Sequence, residues 1–113
     1  MAMNPEIKAK WVAALRSGEY VQGRGALRRD DNTYCCLGVL CDLHAKETGE
    51  PWERPPGDAY NYHAKGAYLP PLVVEWAGLY NSLGPSFEGV GVVDMNDGGD
   101  SFEKIADFIE QHA

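Results

Sequence analysis

Hydrophobic residues recur at Ile7, Trp11, Val12 and Leu15, a spacing that lines one face of a helix. Asn4-Pro5-Glu6 supplies its start: a capping side chain, a proline at the first helical position and an acid at the positive end of the helix dipole. Arg16 and Gly18 close it, so the pattern predicts a helix over residues 5–17. Tyr20-Val21-Gln22 reads as a short strand, residues 23–29 as a loop or bulged hairpin, and Asp30-Asp31-Asn32 as a turn. The apolar run that follows has the length of a buried strand or a helix. Its leucine content and few β-branched residues favour a helix over 33–47, with Cys36, Leu37, Leu40, Cys41 and His44 on one stripe. Gly38 inside it costs about 1 kcal/mol relative to alanine, which a close approach of another backbone would explain.

The pattern then lapses. Residues 50–68 hold three prolines among Trp52, Tyr60, Tyr62 and Tyr68. An irregular stretch of this length in a small domain is usually either functional or disordered, and the aromatics argue against disorder. Pro70-Pro71 opens a short helix that Gly78 stops. Residues 79–86 read as a link, 88–93 as a strand bulged at a glycine, and Asn96-Asp97-Gly98-Gly99 as a tight turn. Asp100, with Glu103 three residues on, caps a last helix whose apolar face is Phe102, Ile105, Ala106 and Ile109. The expected fold is α+β: a single domain over 1–113, with helices at the termini and in the middle packed on a small antiparallel sheet.

Composition narrows the function classes. The 113 residues carry a formal net charge of −7. That excludes a general nucleic-acid binder and an anionic membrane surface as partner. The charge is uneven: residues 1–29 hold six basic groups against two acids, and the remainder holds four against fifteen. A local anion site in an acidic protein is compatible with that. The three cysteines, Cys35, Cys36 and Cys41, sit in one apolar run with no CxxC pair, which predicts a reducing, cytoplasmic setting and no zinc site. No run of 18 apolar residues and no apolar leader occurs, so neither export nor a membrane span is expected.

Four constellations carry candidate chemistry. Gln22-Gly-Arg24-Gly-Ala-Leu-Arg28-Arg29 combines glycines, which let a backbone approach a ligand, with arginines, which pair with phosphate or carboxylate. The plainer reading is a solvated turn whose arginines pair with nearby acids. Trp52, Tyr60 and Tyr62, with Arg54, His63 and Lys65, suit a planar ligand such as a nucleobase, or else pin the loop to the body. The cysteine helix either packs the core or offers a thiolate at a helix start. Cys36-Leu-Gly-Val is similar to the Cys-Ser-Gly-Leu element of NlpC-type cysteine peptidases, but the histidine such an enzyme needs on a following strand has only His63, in an irregular segment, and His44, eight residues on, to supply it. The acidic stretch from Asp94 to Glu103 lacks two ligands of a calcium loop, leaving Asn96 and Asp97 as polar contacts lining a pocket. No cofactor motif is present, and none is expected.

Taken together, Trp11-Val-Ala-Ala-Leu-Arg-Ser-Gly18, Gln22-Gly-Arg-Gly-Ala-Leu-Arg28, the string Tyr34-Cys-Cys-Leu-Gly-Val-Leu-Cys-Asp42 and Ser101-Phe-Glu-Lys-Ile-Ala-Asp-Phe-Ile-Glu110 resemble a family of small bacteriophage and prophage proteins. The resemblance implies an accessory protein that binds a component of the infected host rather than an enzyme. The expectation is a non-catalytic module for a small anionic, nucleotide-derived ligand, with Gln22, Arg24, Arg28, Arg29, Trp52, Tyr60, Tyr62, Asn96 and Asp97 as its contacts and a homodimer as one way to enlarge the pocket. The alternatives are an acidic inhibitor of a host protein and a cysteine-dependent hydrolase or transferase using Cys36 with His63.

Overall fold

The structure, a computed structural model, describes residues 3–113; Met1 and Ala2 of the expected 1–113 domain lie outside the described residues. Helix α1 (Pro5–Arg16) starts at its expected cap: the Asn4 side chain accepts from the amides of Glu6 at 2.9 Å and Ile7 at 3.3 Å. Its apolar face turns inward against α5 (Phe102–His112), which contributes Phe102, Ile105, Ala106 and Ile109. Arg16 clamps the pair from outside through Asp107 at 2.5 Å and Glu110 at 3.2 Å. Exposed ion pairs of this kind contribute little, so apolar burial holds the two helices together.

The second helix, α2 (Cys36–Thr48), is the centre of the molecule. Cys36 to Asp42 are all buried, together with His44 and Ala45, so this helix is enclosed on every side at its N-terminal end. Trp11 reaches it from α1 and donates its indole N–H to the Cys36 carbonyl at 2.9 Å. Gly38 has the close approach its position called for. A Cβ there would overlap the Leu27 carbonyl oxygen and lie 2.6 Å from its carbon, because the 23–29 segment crosses directly over the helix.

Strands β1 (Val21–Gln22), β2 (Arg28–Arg29), β3 (Thr33–Tyr34) and β4 (Ala59–Tyr60) form one sheet in the order β1-β3-β2-β4. The fold is α+β, as expected, but the sheet is mixed: β1 pairs with β3 in parallel, and the other two pairings are antiparallel. β4 draws the 50–68 segment onto the sheet, aided by reciprocal bonds between Glu53 and Asn61 at 2.8 and 2.9 Å.

Several boundaries depart from the sequence reading. Thr33 and Tyr34 belong to β3, and α2 begins at Cys36; the β-branched and aromatic pair goes to an interior strand of the sheet, between β1 and β2. The expected strand over 88–93 is only β6 (Val90–Gly91), which pairs with β5 (Ser86–Phe87) across a tight Glu88-Gly89 turn in which both residues have positive φ. Val92 starts a helix instead, α4 (Val92–Asp97), so Asn96 and Asp97 lie on its last turn rather than in a tight turn. The cap of α5 is Ser101, not Asp100, its hydroxyl accepting from the Lys104 amide at 3.2 Å. The remaining helix, α3 (Pro71–Ala77), ends at Gly78 as expected.

Candidate functional site

The nine candidate residues do not converge on one place. Gln22, Arg24, Asn96 and Asp97 gather where β1 meets the N-terminal end of α2. Arg28, Trp52, Tyr60 and Tyr62 belong to an aromatic cluster that meets α2 at Asp42 and His44. Arg29 stands between them, donating to the Arg24 carbonyl at 3.0 Å and pairing with Asp58 at 3.4 Å.

In the aromatic cluster, Arg28 lies over the rings of Tyr60 at 4.0 Å and of Tyr34 and Trp52 at 5.5 Å, and donates to the Asn32 side chain at 2.8 Å. Its guanidinium is thus engaged within the chain. Trp52 donates to Asp42 at 3.0 Å, and Asp42 also accepts from the Tyr20 hydroxyl at 2.6 Å and faces Lys46 at 3.4 Å. Burial and the Asp42 carboxylate together hold the Tyr20 phenol well above its usual range. Tyr62 is fully buried, with its hydroxyl 2.6 Å from His44 Nδ1. Burial lowers the His44 pKa and raises that of Tyr62 to about 12, so both groups are held neutral where they meet. These contacts pin the 50–68 segment to α2.

The second group has a different character. Asn96 is buried and fully engaged: its oxygen accepts from Gln22 at 3.0 Å and from the Cys36 amide at 3.2 Å, while its nitrogen donates to the Gly23 carbonyl at 2.8 Å. One side chain thereby joins β1, α2 and α4 and satisfies an amide at the start of α2. Gln22 also donates to the Asp100 carbonyl at 2.8 Å. Beside this node opens a crevice of about 50 Å³, lined by Gly25, Cys35, Leu37, Tyr68, Asn96 and Asp97 among others. Asp97 is exposed at its rim and accepts from the Gly25 amide at 3.3 Å. Arg24 is exposed and lies over Gly99, where its Nη2 would stand 3.1 Å from an added Cβ. Among the described residues it is the one arginine whose side chain makes neither a hydrogen bond nor an ion pair.

The sequence did not single out Cys35, which precedes α2 and lines the crevice; placing the helix start at Cys36 would have brought it forward. Burial pushes its thiol up to about 11, against the pull of the Gly38 and Leu37 amides. Burial also pushes the Cys36 and Cys41 thiols well above the usual range. Cys36 donates to the Val92 carbonyl at 3.5 Å, and His63 packs against Tyr62 and His44. None of these thiols is poised as a thiolate. Among the described residues no set of three or more His, Cys, Asp or Glu side chains is arranged around a metal position, and no helix is long and apolar enough to cross a membrane.

No curated protein and no solved structure matches this chain. The sequence profile of a domain of unknown function, DUF8296, matches residues 3–113, and the chain belongs to that family.

Proposed function

We propose that this chain is a non-catalytic binding module for a small anionic, nucleotide-derived ligand held at the crevice over the N-terminal end of α2, and that it serves as a phage accessory protein that sequesters such a signal. The observation that carries the reading is Arg24, an arginine left without an internal partner beside a crevice floored by a rigid hydrogen-bonded node. A guanidinium in that state is available to pair with phosphate or carboxylate. The cavity volume of about 50 Å³ admits one small group, with the rest of the ligand lying across the exposed Tyr68 ring or toward Arg24. Asp97 at the same rim repels a bare anion. It favours a ligand that carries hydroxyl or amino donors beside its charged group, as a nucleotide does. The phage assignment rests on the resemblance carried by the Tyr34–Asp42 string. The raised thiols favour binding over cysteine chemistry.

Calorimetric titration with pyrophosphate, mononucleotides and cyclic dinucleotides tests this. Arg24→Ala is expected to weaken binding about tenfold to a hundredfold, the range for losing a hydrogen bond to a charged group. Arg28→Ala is expected to leave affinity within about threefold, because that side chain serves the aromatic cluster. Equal affinity in wild type and Arg24→Ala would overturn the site.

A further inference from the structure

Charge and apolar exposure coincide on the face of the molecule built by α3, the 79–85 segment and the β5–β6 hairpin. Tyr68, Leu83, Phe87 and Val90 each leave between 46% and 49% of their surface in solvent there. Two shallow grooves run beside Asn81, one of about 290 Å³ reaching Leu83 and Asp94 and one of about 420 Å³ reaching Leu69, Val74 and Glu75. The hairpin is held in place, since Phe87 stacks on His112 of α5 at 4.1 Å and the Glu88-Gly89 turn fixes its register. This is a formed surface rather than a loose loop.

The segments that build it carry formal charges of one sign, with His112 of α5 stacked on Phe87 beside them. From residue 66 to residue 103 the sequence has six carboxylates and no lysine, arginine or histidine. Glu75 and Asp94, which line the two grooves, and Glu88 in the hairpin turn form no ion pair among the described residues. Elsewhere the carboxylates are largely spent inside the chain: Arg16 holds three, Arg29 holds Asp58 and Arg54 faces Asp30. An apolar strip rimmed by unpaired carboxylates is complementary to a cationic segment that carries apolar anchors. A second copy docking this face on itself would set like charges against each other.

We propose that this face is a docking surface for a basic protein segment whose lysines or arginines flank apolar side chains. Leu83, Phe87 and Val90 receive the anchors, and Glu75, Glu88 and Asp94 receive the cations. The proposal goes beyond the crevice at Arg24 and uses none of its charged groups, so the two readings fail separately.

The test is an NMR titration of the full chain with a lysine-rich peptide carrying leucine and tryptophan at helical spacing, and with its glutamate-for-lysine counterpart. The expected result is amide shifts confined to residues 68–94 with the basic peptide and none with the acidic one. Affinity is expected to fall about tenfold in Glu88→Lys and by less than about twofold in Glu19→Lys, which makes the same change in net charge elsewhere. Leu83→Ser is expected to weaken binding while its spectrum outside the patch stays superimposable on wild type, and Arg24→Ala is expected to bind as wild type does. Shifts outside the face, or equal losses in the two charge reversals, would overturn the proposal. So would concentration-dependent shifts at the same residues without peptide, which would assign the face to a second copy.

Discussion

Gly38→Ala in the middle of α2 sets two physical effects against each other. Helix propensity alone makes the alanine variant more stable by about 1 kcal/mol. The packing says the opposite. The new Cβ would overlap the Leu27 carbonyl oxygen and lie 2.6 Å from the carbonyl carbon and 3.1 Å from Leu27 Cα. Carbon atoms in contact need about 3.5 Å, so the crossing strand must retreat by about 1 Å. It is not free to do so, because the Leu27 amide donates to Gly66 at 2.8 Å and its side chain is fully buried in the core. Overpacking of a fixed site costs roughly 1–3 kcal/mol, and a backbone clash lies at the upper end. The expected net loss is about 1–2 kcal/mol, which lowers the melting temperature by roughly 4–8 °C for a domain of this size. Urea and thermal unfolding followed by circular dichroism measure it. Gly49→Ala is the control: unlike Gly38, that residue has a positive φ, 78°, but nothing lies within 4 Å of its added Cβ, so it loses only about 1 kcal/mol. A Gly38→Ala protein as stable as wild type would refute the account of how the 23–29 segment crosses α2.

The other expectations follow from the same geometry. Asn96→Ala removes acceptors from Gln22 and the buried Cys36 amide at once, so urea unfolding should show a loss of about 2–4 kcal/mol, whereas Asp97→Ala should cost under about 1 kcal/mol. His44 is buried against Tyr62, His63, Trp76, Glu47 and Glu50, and its folded pKa lies below the unfolded value near 6.5. The unfolded chain therefore binds the proton first: the contribution of His44 is fully present above about pH 6.5 and is lost as the pH falls toward the lower folded value, a decline that His44→Gln should remove from a pH series of unfolding curves. Iodoacetamide should modify the native thiols at least about tenfold more slowly than the urea-unfolded chain, and fast labelling of Cys35 in native protein would contradict its burial.

The helices were legible where one face alone is buried. Ile7, Trp11, Val12 and Leu15, and likewise Phe102, Ile105, Ala106 and Ile109, mark their helices because each packs a single stripe against the other. Gly38 announced a close approach before its partner was known, and the partner proved to be Leu27. The errors cluster in 88–100. There, two hairpin strands of two residues each and a six-residue helix are too short for periodicity to separate, and the glycines that end them look like turns throughout. The parallel pairing of β1 with β3 was beyond reach for the same reason. Of the candidate site, composition identified the residue types and tertiary structure sorted them. Arg24 and Arg28 are four positions apart in one glycine-rich segment, yet the first lies over Gly99 and the second sits among three rings. That division arises because Arg24 lies in the connection between β1 and β2 while Arg28 lies on β2, and two-residue strands carry no alternation from which to read where the sheet begins.

The most direct measurement of the central claim is native mass spectrometry of wild type and Arg24→Ala after incubation with a small-molecule extract of phage-infected bacteria. The account predicts that wild type retains a small phosphorylated molecule, released on denaturation, and that Arg24→Ala retains none. Bare chains in both samples, or the same molecule held equally by both, would contradict it.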